Sequence, residues 1–289
     1  MNYTFRELLK QNGVIVFDGA MGTSLQKKNI PQGVPWEELN LTHPQMVADV
    51  HISYAEAGVD VIETNTFGVN RIKLGRYGLE DKVDVLNREG VKIAKEAAPS
   101  CLVGAAIGPL GILMEPWGTL TSKEASSAFR EQIETISLAG ADLIVIETMM
   151  SVEEAKVAVQ AAKDVSHLPV ICQVTFAKNG RTLMGEDPLT VLGALEDLEV
   201  DALGANCSVG PESLFPVVEK MCSAARFPLI FQPNAGEPQL KNGRTIYPVS
   251  PREMAEWIEK FVDMGVKIVG GCCGTTPAHL RAIVERVKK

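Results

Sequence analysis

Ala139-Gly140-Ala141-Asp142-Leu143-Ile144-Val145-Ile146-Glu147-Thr148 reads as a helix end, a tight joint, a short apolar run and a polar terminus. Glycine at a helix end fits a left-handed cap, and an apolar run of this length bounded by turn signals fits a strand buried on both faces. The joint recurs. Ala57-Gly58-Val59-Asp60, Leu198-Glu199-Val200-Asp201 and Met264-Gly265-Val266-Lys267 each link a helix end to an apolar run.

Working outward, further runs stand at Val14-Ile15-Val16-Phe17, Asp60-Val61-Ile62, Leu102 to Ile107, Pro169 to Phe176, Ala202 to Ala205, Pro228 to Phe231 and Val266 to Val269. Helices are expected between them: Pro44 to Gly58, Leu79 to Ala98, Thr121 to about Ala139 behind a capping box, and one behind Ser151. Proline behind a capping position opens four more at Pro188, Pro211, Pro251 and Pro277. A short amphipathic helix, Thr4 to Gln11, precedes them. Helix-to-strand joints are short, whereas Asp18 to His43, Gly108 to Thr121 and Asn234 to Ser250 are long, irregular strand-to-helix connections. The pattern predicts an α/β protein, a single (β/α)8 (TIM) barrel with a short N-terminal helix. It forms one domain over 1–289, with its chemistry at the carboxyl ends of the strands.

A formal net charge of -8 without a basic cluster argues against nucleic-acid or anionic-membrane partners. The first ten residues lack the apolar core of a signal peptide, and no run reaches the roughly 20 apolar residues of a membrane helix, so a cytoplasmic location is expected. Six cysteines in such a chain are expected as reduced thiols or metal ligands.

Cys207 follows the sixth run, and Cys272-Cys273 follow the eighth inside Gly270-Gly271-Cys272-Cys273-Gly274. Strand ends separated by one neighbour lie roughly 10 Å apart, a gap that two cysteine side chains and a metal of about 2.3 Å Zn–S bonds span. Adjacent strand residues face opposite ways, and the flanking glycines permit the bend that turns both sulfurs inward. Thiolates suit zinc, and three ligands leave the fourth position of a catalytic site. An electron-rich site of this kind favours holding a substrate thiol as thiolate, hence alkyl transfer to sulfur over hydrolysis. The alternative is packing thiols, which is the expectation for Cys101, Cys172 and Cys222. Asp18-Gly19-Ala20-Met21-Gly22-Thr23 is either a turn or a backbone cradle for an anion.

Asp18 to Thr23, Glu63-Thr64-Asn65-Thr66-Phe67, Glu147-Thr148, Asn206-Cys207-Ser208, Pro233-Asn234-Ala235-Gly236 and Gly270 to Pro277 together resemble the homocysteine S-methyltransferases across nearly the whole chain. They are most similar to the homocysteine-binding module of cobalamin-dependent methionine synthases. The resemblance implies Zn2+ on Cys207, Cys272 and Cys273, with the homocysteine sulfur as fourth ligand. It also implies Asp18 and Glu147 on the substrate ammonium, and the amides of Gly19 and Ala20 on its carboxylate. Asn234 is a candidate fourth metal ligand without substrate, and Thr66 and Asn206 candidate pocket residues. His43, His51, His167 and His279 are assigned to no metal, and Met21, Met149 and Met150 are read as packing. The expected product is methionine. The expected donor is methylcobalamin or another methylcorrinoid on a separate protein or module, since the chain stops at Lys289 after the last barrel helix; S-methylmethionine and betaine are the alternatives. From other classes, a phosphate-binding barrel using Gly270-Gly271 and Thr275-Thr276, or a non-catalytic zinc or thiol module, compete with this reading.

Overall fold

The computed structural model describes residues 3–28, 33–241 and 243–288. Eight parallel strands lie in one sheet: β1 (Ile15–Val16), β2 (Val61–Glu63), β3 (Leu102–Ile107), β4 (Leu143–Met149), β5 (Val170–Val174), β6 (Ala202–Asn206), β7 (Leu229–Gln232) and β10 (Ile268–Val269). Sequential strands pair from β2 through β7, β10 pairs with β7 and with β1, and a parallel bridge between Phe17 and Val61 closes the ring. The predicted TIM barrel is the observed fold.

The period-two alternation of each strand divides its residues between two cores. Ile15, Phe17, Val61, Leu102, Leu143, Val145, Ile171, Ala202, Ile230 and Ile268 point into the barrel, where Phe5 and Leu8 of α1 (Phe5–Lys10) join them. Val16, Ile62, Val103, Ile144, Ile146, Cys172, Leu203, Phe231 and Val269 face the surrounding helices. The capped helices form as their signals predict. Thr121 caps α7 (Ser122–Leu138) with a full capping box, Ser151 caps α8 (Val152–Val165), and Asp187 caps α9 (Pro188–Glu196). Proline opens α10 (Pro211–Ala224), α11 (Pro251–Asp263) and α12 (Pro277–Val287).

The connections depart most from expectation. The stretch from Asp18 to His43, of which 29–32 lie outside the described residues, holds α2 (Met21–Gln26), a 3-10 turn at Trp36–Glu38 and α3 (Leu39–Thr42) before α4 (Pro44–Ala55). Arg71–Gly75 forms α5, and a 3-10 turn at Glu80–Lys82 precedes α6 (Val83–Ala97), so the α-helix starts later than the expected Leu79. Between Asn234 and Ser250 an antiparallel pair, β8 (Gln239–Lys241) and β9 (Arg244–Ile246), replaces the expected irregular loop. The first and last barrel strands are shorter than their apolar runs, β10 leaving out Val266 and Lys267 at its amino end and β1 leaving out Val14 and Phe17.

Candidate metal centre and acid pocket

Two backbone devices aim the three sulfurs. After β6, Cys207 and Ser208 adopt left-handed φ values of 60° and 63°, a conformation costing on the order of 1–2 kcal/mol per non-glycine residue. The Cys207 amide stays tied to Gln232 O at 3.0 Å and its carbonyl accepts from Val209 N at 2.7 Å. After β10, Thr275 N donates to Cys272 O at 3.1 Å across a turn whose third residue, Gly274, has φ 82°, as a type II turn requires. That turn brings both neighbouring thiols to one side. The ring of Tyr247 lies where a Cβ on Gly274 would stand, so glycine is required there by contact as well as by φ.

Cys207, Cys272 and Cys273 place their sulfurs within 4.8 Å of one another, and the Cys207 and Cys273 sulfurs are 3.7 Å apart. Two sulfurs on one tetrahedral zinc at about 2.3 Å stand about 3.8 Å apart, so this donor set fits a single ion. The thiols hold protons unequally. Cys273 accepts from Cys207 and Cys272, against burial, and falls to about 3, helped by the Tyr247 hydroxyl. Cys207 accepts from Cys272 but donates to Cys273 in a buried place and rises to about 12. Cys272, donating to both partners, is held well above the ordinary thiol range. Elsewhere, Cys172 is fully buried, Cys101 donates to Val59 O at 3.5 Å, and Cys222 packs on the outer core, as expected of packing thiols.

Beside the sulfurs stands a layer of polar side chains, one strand period above the apolar barrel interior: Glu63, Glu147, Gln173, Asn206 and Gln232. Gln173 Nε2 donates to Gln232 Oε1 at 2.7 Å, and Gln232 Nε2 donates to Glu63 Oε2 at 3.0 Å. Asn206 Nδ2 donates to Glu147 Oε2 at 2.8 Å and lies 4.0 Å from Cys272 Sγ; its Oδ1 accepts from Thr148 N at 2.8 Å. Thr148, at φ 58°, sits in the β4 irregularity between Ile146 and Met149. Asp18 reaches across the barrel seam, where its Oδ2 accepts from Glu63 N at 3.0 Å.

Burial pushes the Glu63 carboxyl up to about 7, offset in part by Gln232 and Asp18. Burial, and then repulsion from Glu63, holds Asp18 well above the usual carboxylate range. Burial, Glu63 and Cys273 do the same to Glu147. Glu63 and Glu147 nonetheless keep part of their side chains open to solvent, as groups facing a pocket do.

The remaining expected site residues fall in three positions. Asn234 is 3% exposed with a buried Oδ1 that has no hydrogen-bond partner. The Ala20 amide is already engaged, donating to Thr275 Oγ1 at 3.2 Å, while Gly19 is pressed against Thr275 and Tyr54 so closely that a Cβ would meet them at 2.5 and 3.0 Å. Thr66 is bonded within the barrel wall. It is fully buried, its hydroxyl donating to Ala106 O at 2.8 Å and paired with Thr64 Oγ1 at 2.6 Å, so its place is the β2–β3 joint. No histidine joins the sulfur cluster among the described residues. His279 bonds Thr276 and Val249 O, and burial drives His51 down to about 4.

An anion cradle at the Gly-Gly turn finds no support, because its amides are used internally. Gly270 N donates to Phe231 O at 3.3 Å, Gly271 N to Asp18 O at 3.0 Å and Gly274 N to Thr23 Oγ1 at 3.1 Å. The residues that sequence reasoning missed, Glu63, Gln173, Gln232 and Tyr247, had a signal in three cases. Each of the first three stands two positions beyond an inward-facing apolar residue, so strand parity alone points it into the barrel.

Residues 15–287 match the homocysteine S-methyltransferase family. The chain belongs to that family. Methionine synthase from Mycobacterium leprae is 35% identical over 295 residues, covering 96% of this chain and 24% of that protein. Methionine synthase from Mycobacterium tuberculosis is 35% identical over 293 residues, with 95% and 24% coverage. The chain thus spans about a quarter of the length of these relatives. The crystal structure of the homocysteine methyltransferase MmuM from Escherichia coli in its metallated form shares the fold at a TM-score of 0.82 and 22% identity, covering 97% of this chain and 99% of that one. The family makes this chain a methyltransferase. No helix among the described residues is long and apolar enough to cross a membrane.

Proposed function

We propose that this barrel is a zinc-dependent homocysteine S-methyltransferase that forms methionine, taking its methyl group from a methylcorrinoid such as methylcobalamin carried by another module or protein. The observation that carries the reading is three thiols spaced for one tetrahedral ion, set beside carboxyls that form no ion pair among the described residues. Cys207, Cys272 and Cys273 would hold the zinc, which supplies the positive charge that keeps the homocysteine sulfur deprotonated at neutral pH.

The chain's own residues then do the positioning. Asp18 and Glu147 accept the substrate ammonium, with Asn206 fixing the Glu147 carboxylate. The Gly19 side of the α2 turn faces the substrate carboxylate, the Ala20 amide being shared with Thr275. Asn234, with its unpaired Oδ1, would supply the fourth metal ligand when no substrate is bound. The substrate sulfur attacks the methyl carbon in line: a C–S bond forms, the bond from carbon to the donor breaks, and its electron pair leaves with the donor. Reduced thiols of this kind need a reducing compartment, and the reading places the protein in the cytoplasm.

The test is a single preparation. Zinc is measured in protein purified under reducing conditions, and methionine formation is then followed with methylcobalamin, S-methylmethionine or betaine as donor. Stoichiometric zinc with methylcobalamin-dependent turnover is expected. Absence of zinc would remove the central claim, whereas turnover with S-methylmethionine or betaine alone would move the donor and leave the thiol chemistry standing.

A further inference from the structure

The three sulfurs do not share the same surroundings. Asn206 Nδ2 stands 4.0 Å from Cys272 Sγ, but it is already committed to Glu147 Oε2 at 2.8 Å and to Thr148 Oγ1 at 2.9 Å. Cys273 is instead faced by the hydroxyl of Tyr247, which arrives from the connection between β7 and α11.

The main chain around Tyr247 is pinned to the cysteine turn without help from that hydroxyl. Ala235 N donates to Cys273 O at 2.9 Å, Val249 N donates to Ala235 O at 3.0 Å, and His279 Nε2 donates to Val249 O at 3.0 Å. The Tyr247 ring lies on Gly274 so closely that no Cβ fits between them. A phenylalanine ring would cover Gly274 equally well, so packing accounts for the ring and leaves the hydroxyl unexplained.

The chemistry of the donor set supplies a reason for it. Three thiolates outnumber the two positive charges of Zn2+, and a substrate thiolate adds to the excess. In a partly buried centre, a hydrogen bond donated to an ionised sulfur spreads that charge. A phenol keeps its proton at neutral pH, so it is a donor there. A sulfur that accepts such a bond gives less density to its metal, which then holds the fourth sulfur more firmly.

We propose that Tyr247 is a positioning residue of the metal centre, its hydroxyl donating to the Cys273 sulfur and thereby strengthening the hold on both the metal and the substrate thiolate. This role rests on the zinc and thiol reading above and adds to it a residue outside the three ligands.

The test compares wild type with Tyr247→Phe, which keeps the ring on Gly274 and removes only the hydroxyl, and with Tyr247→Leu, which removes the ring as well. Each is loaded with Co2+ in place of zinc and its thiolate-to-metal charge-transfer band recorded. Zinc affinity is measured by competition with a chelator, and homocysteine binding to the zinc-loaded protein by calorimetry. In Tyr247→Phe the band should move to longer wavelength, because a sulfur without its hydrogen bond gives up an electron more readily. Zinc affinity should fall roughly 10- to 100-fold, the range for losing a group that supports a ligand, and homocysteine affinity should fall with it. The thermal stability of the metal-free protein should stay that of wild type. Tyr247→Leu should lower that stability and move the band no further. An unchanged band and zinc affinity in Tyr247→Phe, or a band that moves only in Tyr247→Leu, overturns the role of the hydroxyl while leaving the zinc reading intact. A wild-type protein that takes up neither metal overturns both.

Discussion

The two ends of the barrel use the same residue type in opposite ways. At the amino end, Asp60, Asp142 and Asp201, the closing residues of three helix-to-strand joints, each accept a backbone amide from a neighbouring strand, at Val16, Val103 and Val170. Each is also matched by a cation: Lys288 at 2.7 Å, Lys95 at 3.3 Å and Arg6 at 2.7 Å. At the carboxyl end, Asp18 makes the same kind of bond to the Glu63 amide, but among the described residues neither it nor Glu63 nor Glu147 forms an ion pair. The amino end is sealed by α1, with Phe5 fully buried on the barrel floor, whereas the carboxyl end opens onto three thiols. Acids paired within the chain stabilise the fold; acids left unpaired are poised for a charge that comes from outside. The two ends thus divide stability from chemistry, as barrels of this class do.

The largest break in this division comes from the sulfurs. Cys273→Ser should lose zinc and bring activity down well beyond the roughly 10- to 100-fold that changes outside a ligand shell cause, whereas Cys222→Ser, in α10 on the outer core, should keep both. Metal analysis beside turnover checks it, and equal loss in the two variants would undo the distinction between ligand and packing thiols.

A smaller effect is expected from Glu147→Gln. The variant gives up a charged acceptor, so kcat/KM for homocysteine should fall roughly 10- to 100-fold. Its thermal stability without substrate should hold or rise, because a buried uncompensated acid is removed. A matched loss of stability would mean that Glu147 belongs with the paired acids of the other end.

Much of this contrast was legible beforehand, and the reason is local. The apolar runs, caps and prolines are short-range signals, so the eight units, the closed ring and the convergence of Cys207 with Cys272-Cys273 could be read from them. The acid layer was only half legible. Asp18 and Glu147 stand out because their motifs end strands, but Glu63 and its supports Gln232 and Gln173 matter through hydrogen bonds between strands 59 to 169 residues apart. Thr66 could be read two ways, because a hydroxyl at a strand end looks the same whether it faces a ligand or bonds the next strand. Tyr247 enters only because β8 and β9 fold back over Gly274, a contact that no spacing announces.

The carboxyl-end acids should also show in the pH dependence of stability. Burial raises Glu63 from an ordinary 4.5 to about 7. A raised carboxyl contributes stability that is fully present below its unfolded pKa and is lost as pH rises through its folded one. Metal-free, ligand-free wild type should therefore lose stability relative to Glu63→Gln between about pH 4.5 and pH 7, by up to about 3 kcal/mol. His51, lowered to about 4, works the other way, losing stability as pH falls from its unfolded value of 6.5, but it is common to both proteins and cancels in the difference. Urea melts of the pair across this range check the sign. A difference that grows towards low pH would show that Glu63 is stabilised as the anion and does not need a ligand.

The smallest effect belongs to the residue that closes the joint of the fourth strand. In Asp142→Asn the amide oxygen can still accept from Val103 N, which donates to the wild-type carboxylate at 2.8 Å, so only the Lys95 pair is lost. That pair is 3.3 Å long with side chains 41% and 31% exposed, and pairs so open to solvent are worth about 0–1 kcal/mol. The expected change is a loss of less than about 1 kcal/mol, or a few degrees in Tm for a chain of this size. The loss should fade in 1 M salt, where the Debye length is about 3 Å. Zinc content and kcat/KM should not move. A fall in kcat/KM comparable to that of Glu147→Gln would show that acids at the sealed end act on the pocket through the strands, and the separation of the two ends would have to be given up.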